Sequence, residues 1–361
     1  MVKINTDLGS VGLVLSGGGV RGLAHIGVIK AMKEYNINAT TVSGSSAGAL
    51  VGALYANGNT IEEMLDFFKR TPLFKYNFLT MAKAGFIDTD KYISLFKNYF
   101  SEDSFEALGK KLFLVATNLQ KGEETYFSSG ELIKPLLASA ALPPVFSPVE
   151  MGGFLYGDGG IMNNFPIEPV QETVDFIIGS NVSVITNLEK KELKSAVKLA
   201  ARVTNLMIYA SSKQKLKSCN IVIEPNALEK IGVLDKRGMQ KAFEIGYEHA
   251  AKKIEAFLVK NFENEFTAIA DFETIKTDST IELDIQLIGQ PVENITLDSC
   301  EKLLSKIIGK NITINDYQSK EIPFDEIQRL KHEMGGFQGE LSTKIDNLEK
   351  LQNKRELKIV D

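Results

Sequence analysis

Ser46 lies in a run of small residues that suits nucleophilic chemistry. The segment from Gly44 to Gly48 reads G-S-S-A-G and follows a short run rich in β-branched residues, Ala39–Val42. A serine on a tight turn between a strand and a helix exposes its hydroxyl, and small neighbours let a carbonyl carbon approach it. The same pattern also arises by chance at closely packed helix starts. Taken alone, it is therefore a weak indication of acyl transfer.

A glycine-rich loop precedes the serine. The segment from Gly17 to Gly22 reads G-G-G-V-R-G, follows a strand-like apolar run and precedes a helix-like segment. Free backbone N–H groups at such a loop suit a developing oxyanion. A dinucleotide site would need an acidic residue at the end of the next strand, and none is present there. A phosphate loop would end in G-K-[ST], and this loop does not. The loop therefore favours an oxyanion hole.

Asp158 is the candidate base for the serine. It stands between glycines in the sequence Y-G-D-G-G, and an isolated aspartate there often bonds only its own turn. A serine nucleophile needs a base, however, and the chain offers few. Aspartate is a weak base near neutrality, with an ordinary pKa of about 3.9. The pair would therefore need a short hydrogen bond and a partly desolvated site.

The three segments, in this order, resemble the patatin-like phospholipase family. That family has a glycine-rich oxyanion loop, a G-x-S-x-G serine and a D-G-[AG] aspartate. The resemblance covers residues 8 to 255 and includes the flanking segments Arg21–Gly27, Ser139–Pro143 and Asn163–Pro166. It implies that Ser46 is the nucleophile and Asp158 its proton acceptor, acting on a lipid or fatty-ester substrate through an acyl-enzyme intermediate.

The resemblance also assigns roles to the surrounding positions. The expected oxyanion donors are the N–H groups of Gly18 and Gly19. The full set expected at the oxyanion hole is Gly17, Gly18, Gly19 and Arg21, and the supporting motif positions are Gly22, Gly44, Gly48, Gly159 and Gly160. Two interpretations of the Arg21 side chain stay open, a structural anchor of the loop or an attraction for anionic phosphate groups. No H-E-x-x-H or Cys/His cluster is present, so no metal and no cofactor are predicted.

The three histidines test whether a conventional triad is a better prediction. Ser46, Asp158 and His249 occur in the chain order of a hydrolase triad. His249, however, falls on the polar side of a predicted amphipathic helix, which normally faces water. His25 is interpreted as a packing or supporting residue near the glycine loop, and His332 receives no role. A Ser–Asp dyad is therefore the simpler prediction.

Composition narrows the class of protein. The 361 residues suit one large domain and a smaller one, and the formal net charge of −5 gives no reason to expect nucleic acid as a partner. Two cysteines, Cys219 and Cys300, indicate reduced thiols rather than a disulfide framework. The sequence has neither a secretory apolar core at its start nor an apolar run near the ~18 residues of a membrane span. These features predict a cytoplasmic location.

Alternating strands and helices predict an α/β fold with a largely parallel sheet, and the resemblance implies three α/β/α layers. Both motifs would then lie at the carboxyl ends of strands, where such folds bind ligands. After a strand–helix–strand–helix order up to Asn57, the predicted helices are Ile61–Lys69, Asp90–Tyr99, Glu131–Ala140, Glu192–Lys217 and Lys236–Leu258, and the predicted strands are Lys111–Thr117, Val174–Asn181 and Ile221–Glu224.

The chain changes character near its last hundred residues. We therefore predict two domains, a hydrolase domain at 1–261 and a smaller α+β region at 262–361. The latter holds a predicted strand, Thr280–Ile288, and a predicted helix, Leu297–Ile308. Further on, apolar residues form a heptad seam with one flaw at Lys344. Two interpretations of the seam stay open: a homodimer or other helical partner, or a helix folded back on its own domain.

Two segments raise the question of contact with a membrane surface. Leu65–Met81 is aromatic and basic, and Lys213, Lys215 and Lys217 form a small basic cluster. Packing against the core and a solvated helix face are the plainer interpretations of these segments. The lipid substrate thus comes mainly from the resemblance, whereas ester hydrolysis comes from the residues. The alternative function is a lipid-binding scaffold on the same fold with little turnover.

Overall fold

The computed structural model describes residues 8–71 and 78–262, together with the backbone of four later strands. The chain divides into two compact units, and the larger one is Leu8–Ile254. All the candidate site residues lie in this larger unit. Within the described part of the chain, no helix combines the length and the apolar character needed to cross a bilayer.

Strands and helices alternate along the larger unit. The strands are β1 Val11–Leu15, β2 Thr41–Ser45, β3 Lys111–Asn118, β4 Glu123–Phe127, β5 Val149–Met151, β6 Phe154–Gly157, β7 Phe176–Ser180 and β8 Ile221–Ile223. The helices are α1 Leu23–Glu34, α2 Ala47–Ala56, α3 Ile61–Arg70, α4 Ile93–Phe96, α5 Ile133–Ser139, α6 Glu168–Gln171, α7 Ala196–Lys213 and α8 Met239–Phe262.

Five parallel strands form the body of the main sheet, in the order β3, β2, β1, β7, β8. In the register, Leu13 of β1 lies between Val42 of β2 and Ile178 of β7. Strand β1, with the sequence VGLVL, is buried at every residue, as expected for a parallel strand covered on both faces. The predicted α/β fold with a largely parallel sheet is therefore confirmed.

Helical layers cover both faces of this sheet. On one face, α2 lies so close that a Cβ on Gly52 would contact Val42 and Leu112. On the other face, Val14 belongs to a buried cluster that reaches α6. That cluster contains Val14, Phe165, Ile167, Val170, Ile177 and Leu216. The order helix, sheet, helix gives the three layers that the resemblance implied.

Strands β4, β5 and β6 form an antiparallel addition that the sequence analysis did not predict. Strand β4 pairs with β3 along Leu114–Asn118, on the edge opposite β2. Strand β6 pairs with Thr117 and Asn118 of β3, which lie past the end of β2. Because β4 already occupies the other edge there, β6 lies on the same side as β2 and continues beyond it. The end of β6 therefore meets the end of β2.

Two predicted helices are shorter than expected. The Asp90–Tyr99 prediction corresponds to a 3₁₀ turn, Thr89–Tyr92, followed by the single turn of α4. The Glu192–Lys217 prediction corresponds to α7, which has a 3₁₀ turn on each side. Tight turns of this kind commonly replace the first and last turns of an α-helix.

A separate sheet belongs to the later part of the chain. Its strands are β9 Thr267–Ile269, β10 Ile275–Thr277, β11 Thr280–Ile288 and β12 Ile312–Lys320. Strand β11 pairs parallel with β12 and antiparallel with β9 and β10. The predicted strand at Thr280–Ile288 is therefore present. The predicted helix Leu297–Ile308, the heptad seam, Cys300 and His332 lie outside the described residues.

Candidate active site

Ser46 occupies a strained turn between β2 and α2. Its backbone has φ 53° and ψ −123°, a conformation that glycine adopts readily and other residues rarely do. Its N–H donates to Ser139 Oγ at 3.0 Å, and its carbonyl accepts the first bond of α2 from Leu50 N at 3.1 Å. Strain of this kind collects at functional sites, and here it holds the hydroxyl at the top of the sheet.

The hydroxyl of Ser46 donates to the carboxylate of Asp158. The distance from Ser46 Oγ to Asp158 Oδ2 is 2.6 Å, across 112 residues of sequence. The second oxygen, Oδ1, accepts from Gly160 N at 2.7 Å. The backbone of Asp158 is fixed as well, since its N–H donates to Ala141 O at 2.9 Å and its carbonyl accepts from Thr117 Oγ1 at 2.8 Å. The carboxylate is thus held in one orientation toward the serine.

Burial makes the carboxylate of Asp158 a stronger base. Asp158 is only 4% exposed. Desolvation raises its pKa from an ordinary 3.8 to about 6, although the hydrogen bonds from Ser46 and Gly160 oppose the shift. A general base works best when its pKa lies near the working pH. This pair was predicted to need a short hydrogen bond and a partly desolvated site, and the structure has both.

The glycine loop lies beside the serine and leaves two N–H groups unused. A Cβ on Gly17 would be 3.1 Å from the Cβ of Ser46. Neither Gly18 N nor Gly19 N donates to any residue that the structure describes. Gly19 has φ +57°, and a Cβ there would overlap the carbonyl of Val233. Only glycine fits this position, because both the backbone conformation and the space exclude a side chain.

The orientation of both free N–H groups is fixed through the preceding carbonyls. In a trans peptide the C=O and the following N–H point in opposite directions. The carbonyl of Gly17 accepts from Ser183 Oγ at 2.7 Å, which turns Gly18 N–H the other way. The carbonyl of Gly18 accepts from Arg21 N at 3.2 Å, which likewise fixes Gly19 N–H.

Gly17 and Arg21 therefore differ from the other two expected members of the oxyanion hole. Their own N–H groups are already bonded, Gly17 N to Asn164 O at 3.1 Å and Arg21 N to Gly18 O. The buried Arg21 side chain donates from Nε to Ile231 O at 2.7 Å and from Nη2 to Glu229 O at 3.1 Å. These contacts favour the interpretation of Arg21 as a structural anchor of the loop.

The supporting glycines all mark close approaches between elements. A Cβ on Gly48 would overlap the last carbonyls of β1, so α2 starts in direct contact with that strand. The same kind of overlap, with different neighbours, would occur at Gly22, Gly44, Gly159 and Gly160. These positions allow the serine turn, the glycine loop and the aspartate turn to pack together.

The two described histidines do not contact the dyad. His25 is fully buried, with Nε2 2.8 Å from Ser16 O and Nδ1 2.8 Å from Ser180 Oγ. Since a carbonyl only accepts, Nε2 carries the proton and the Ser180 hydroxyl donates to Nδ1. Burial lowers the pKa of His25 to about 4, so the ring is neutral at ordinary pH. It ties the ends of β1 and β7 together beneath the loop. His249 is half-buried on α8, where burial and then Lys253 and Lys252 lower its pKa.

Three supporting residues received no role from the sequence. Ser139, Thr117 and Ser183 hold the serine turn, the aspartate and the loop by the hydrogen bonds given above. Ser139 and Asn164 stand in segments that carried the family resemblance, so a signal for them existed. Thr117 and Ser183 belong to no motif, and their positions follow only from the packing of β3 and β7.

Other features from the sequence lie outside this constellation. Lys215 pairs with Glu168 and donates to Asn163 Oδ1 at 2.9 Å, whereas Lys213 and Lys217 are exposed. In the aromatic segment, Phe67, Phe68 and Phe78 are buried, but Leu79 and Met81 are exposed. A cavity of about 420 Å³ at the opposite edge of the sheet contains no candidate site residue. The described residues include no group of three or more His, Cys, Asp or Glu that could hold a metal ion.

The fold and the site define an α/β protein in which a serine on a strand–turn–helix junction bonds a buried aspartate beside a glycine loop. Residues 13–170 match the sequence model of a family described as patatin-like phospholipase. Over this region the match confirms the predicted resemblance to the patatin-like phospholipase family.

Known proteins similar to the chain differ in how much of it they match. An uncharacterised NTE family protein of Mycobacterium bovis is 30% identical over 209 residues, 56% of this chain and 56% of that protein. A lysophospholipase of Aspergillus fumigatus is 32% identical over 186 residues, 49% of this chain but 12% of that protein. The chain therefore spans little more than half the length of the mycobacterial relative and a small part of the fungal one. The crystal structure of VipD from Legionella pneumophila aligns with a TM-score of 0.47 and 15% identity, over 71% of this chain and 67% of that chain.

Proposed function

We propose that this protein is a serine acyl hydrolase that cleaves the carboxylic esters of lipids, of the phospholipase A or lysophospholipase type. The observation that carries the proposal is the 2.6 Å hydrogen bond from Ser46 Oγ to the buried carboxylate of Asp158, beside two N–H groups that donate to no described residue. The family of residues 13–170 and the name of the fungal relative support a lipid substrate.

In the proposed reaction, Asp158 accepts the proton of Ser46 as Oγ attacks the ester carbonyl. The N–H groups of Gly18 and Gly19 donate to the oxygen that becomes negative in the tetrahedral intermediate. When the intermediate collapses, Asp158 returns the proton to the departing alcohol and an acyl-serine remains. Water then attacks the acyl group while Asp158 accepts its proton, and Asp158 passes that proton to Ser46 Oγ as the fatty acid is released.

The pKa of Asp158 predicts how activity depends on pH. The base must be ionised to act, and burial raises its pKa to about 6. We therefore expect kcat/KM to fall tenfold per pH unit below about pH 6 and to reach a plateau above it. Because His25 has a pKa of about 4 and lies away from the dyad, it adds no second step to this range.

The test is hydrolysis of a series of soluble esters of increasing acyl length and of a lysophospholipid, by wild type, Ser46→Ala and Asp158→Asn. Each substitution is expected to lower kcat by about 10³-fold or more, since a nucleophile and its base act as a unit. The acyl length with the highest kcat/KM then indicates the length of the pocket that binds the acyl chain.

The chain provides a matched control for the dyad. Ser10 Oγ also donates to Asp175 Oδ2 at 2.6 Å, but this pair is exposed and lies outside the three candidate motifs. Ser10→Ala and Asp175→Asn should leave kcat unchanged within about twofold. Full activity of Ser46→Ala, or an inactive wild type that still retains lipid, would instead support the alternative of a lipid-binding scaffold.

A further inference from the structure

Helix α7 presents four large apolar side chains outward. Leu199, Val203, Leu206 and Met207 follow the spacing i, i+4, i+7, i+8 and so form one stripe. Their side chains are 47%, 47%, 43% and 69% exposed. A surface helix of a globular protein normally turns such a stripe toward the core. The stripe on α7 is therefore an apolar face without a partner among the described residues.

The opposite face of α7 is the one that lies against the protein. Among the α7 side chains that the structure describes, five are buried or half-buried, and most of them are polar. They are Arg202, Asn205, Ile208, Tyr209 and Ser212. The usual arrangement of a surface helix is thus inverted, with polar groups inward and apolar groups outward. Such a helix is suited to an apolar environment outside the protein.

The charges around the stripe indicate what that environment is. Residues 193–217 include Lys and Arg but no Asp or Glu, although the chain as a whole has a net charge of −5. Lys194, Lys198, Lys213 and Lys217 are exposed on or near α7. An apolar stripe flanked by cations is typical of helices that lie on anionic lipid. A second copy packed on the same face would instead bring cations against cations.

The inward face of α7 is joined to the candidate oxyanion loop through one intermediate residue. Arg202 of α7 donates to Glu229 Oε1 at 2.7 Å and to Thr186 O at 2.6 Å. The carbonyl of Glu229 accepts from Arg21, so one residue joins α7 to the glycine loop. Val233, whose carbonyl accepts from Val20 N at 2.8 Å, is itself 37% exposed. The position of α7 is therefore fixed relative to the glycine loop through Glu229.

We propose that α7 docks this protein on the surface of an anionic lipid bilayer. The docking surface consists of the stripe Leu199, Val203, Leu206 and Met207 and the flanking lysines Lys194, Lys198 and Lys213. The stripe enters the headgroup region while the lysines contact lipid phosphates. This proposal goes beyond ester hydrolysis, because it concerns how the protein reaches a lipid surface and does not need Ser46.

The test is co-sedimentation of the full chain with vesicles, in the Ser46→Ala background so that lipid is not consumed. We expect binding to vesicles of phosphatidylcholine mixed equally with phosphatidylglycerol, weaker binding to phosphatidylcholine alone, and a loss of binding as salt screens the charges. Leu206→Glu with Met207→Glu should weaken binding by about tenfold or more, since two apolar side chains no longer enter the headgroup region.

The matched control is Leu79→Glu with Met81→Glu, an apolar pair in the aromatic segment that is more exposed than the pair on α7. It should bind vesicles as the parent does, and circular dichroism should show that both double variants are folded. Undiminished binding of the α7 variant, or an equal loss in the control, would overturn the proposal. The proposal would also be overturned if the α7 double variant had a lower sedimentation mass than the parent without vesicles but still bound vesicles. The stripe would then join copies of the chain.

Hydrolysis of a soluble ester separates the two proposals. With Ser46 intact, the Leu206→Glu, Met207→Glu variant should cleave a soluble ester at the parent rate, because neither residue lies in the candidate active site. If the parent cleaves no ester but its Ser46→Ala form binds anionic vesicles through α7, ester hydrolysis fails and docking stands. If the parent cleaves soluble ester and the α7 variant binds vesicles normally, docking alone fails.

Discussion

Asp158 is held where a carboxylate is useful for chemistry and costly for stability. Its folded pKa of about 6 lies above the ordinary value of 3.8, so the folded protein holds the proton more tightly than the unfolded chain does. The free energy of unfolding therefore falls as pH rises from about 4 to 6 and stays lower above that range. This lower stability is linked to function, because an ionised, desolvated carboxylate is the base that the proposed reaction needs.

Asp158→Asn is therefore expected to raise the free energy of unfolding while it abolishes activity. Asparagine can accept from Gly160 N and donate to Ser46 Oγ, so the geometry is preserved without a buried charge. We expect a gain in the free energy of unfolding of up to about 3 kcal/mol above pH 6, which vanishes near pH 4. Thermal unfolding of both proteins across this pH range measures it. His25 titrates alike in both chains and cancels in the difference, so equal melting temperatures at pH 8 would contradict the prediction.

At the scale of single residues, the sequence predicted which residues form the candidate site better than it predicted what each of them does. Ser46 and Asp158 could be picked out because each stands in a turn motif with glycine neighbours. The difference between Gly17, whose N–H is bonded, and Gly18, whose N–H is free, could not be seen. It depends on Asn164 and Ser183, which reach Gly17 from far along the chain and leave no trace in the loop itself.

At the scale of elements, the strands buried on both faces were the predictable part. Strand β1 reads as an apolar run, whereas β5 and β6 have three and four residues and no clear alternation. Strand β6 nevertheless carries Asp158 to the end of β2, because it continues along the edge of β3 where β2 stops. Such short antiparallel strands are fixed by pairing with a neighbour, which local sequence does not encode.

The contact between α1 and α8 is an element-scale feature that can be tested directly. A Cβ on Gly246 of α8 would overlap the carbonyl of Ala24 in α1. Helix propensity alone favours alanine over glycine by about 1 kcal/mol. We expect Gly246→Ala instead to lower the free energy of unfolding by about 1–3 kcal/mol, because the two helices must move apart. Denaturant unfolding measures the change.

Glu248→Ala supplies the control, since Glu248 is exposed on the same helix and alanine there tests propensity without packing. It should change stability by no more than about 0.5 kcal/mol. A Gly246→Ala protein more stable than wild type would show that propensity outweighs the close contact, and that α1 and α8 have room to separate.

For the whole molecule, every residue of the candidate active site lies inside the larger compact unit. That unit, Leu8–Ile254, ends within α8, a few residues before the domain boundary predicted at 261. A unit with its own core and its own site can fold without the rest of the chain. We therefore expect the later region, with its separate sheet, not to be needed to assemble the dyad, the glycine loop or α7.

We accordingly expect a chain ended after Asn261 to hydrolyse a soluble ester with kcat/KM within about threefold of the full chain, because all the groups proposed to act are retained. The same shortened chain with Ser46→Ala should be inactive, which shows that the activity comes from this site. A folded but inactive shortened chain would mean that residues 262–361 complete the site.

Sedimentation of the long and short chains addresses the predicted homodimer separately. A fall from two copies to one on shortening would assign self-association to the later region. An unchanged number of copies would show that the heptad seam does not cause self-association.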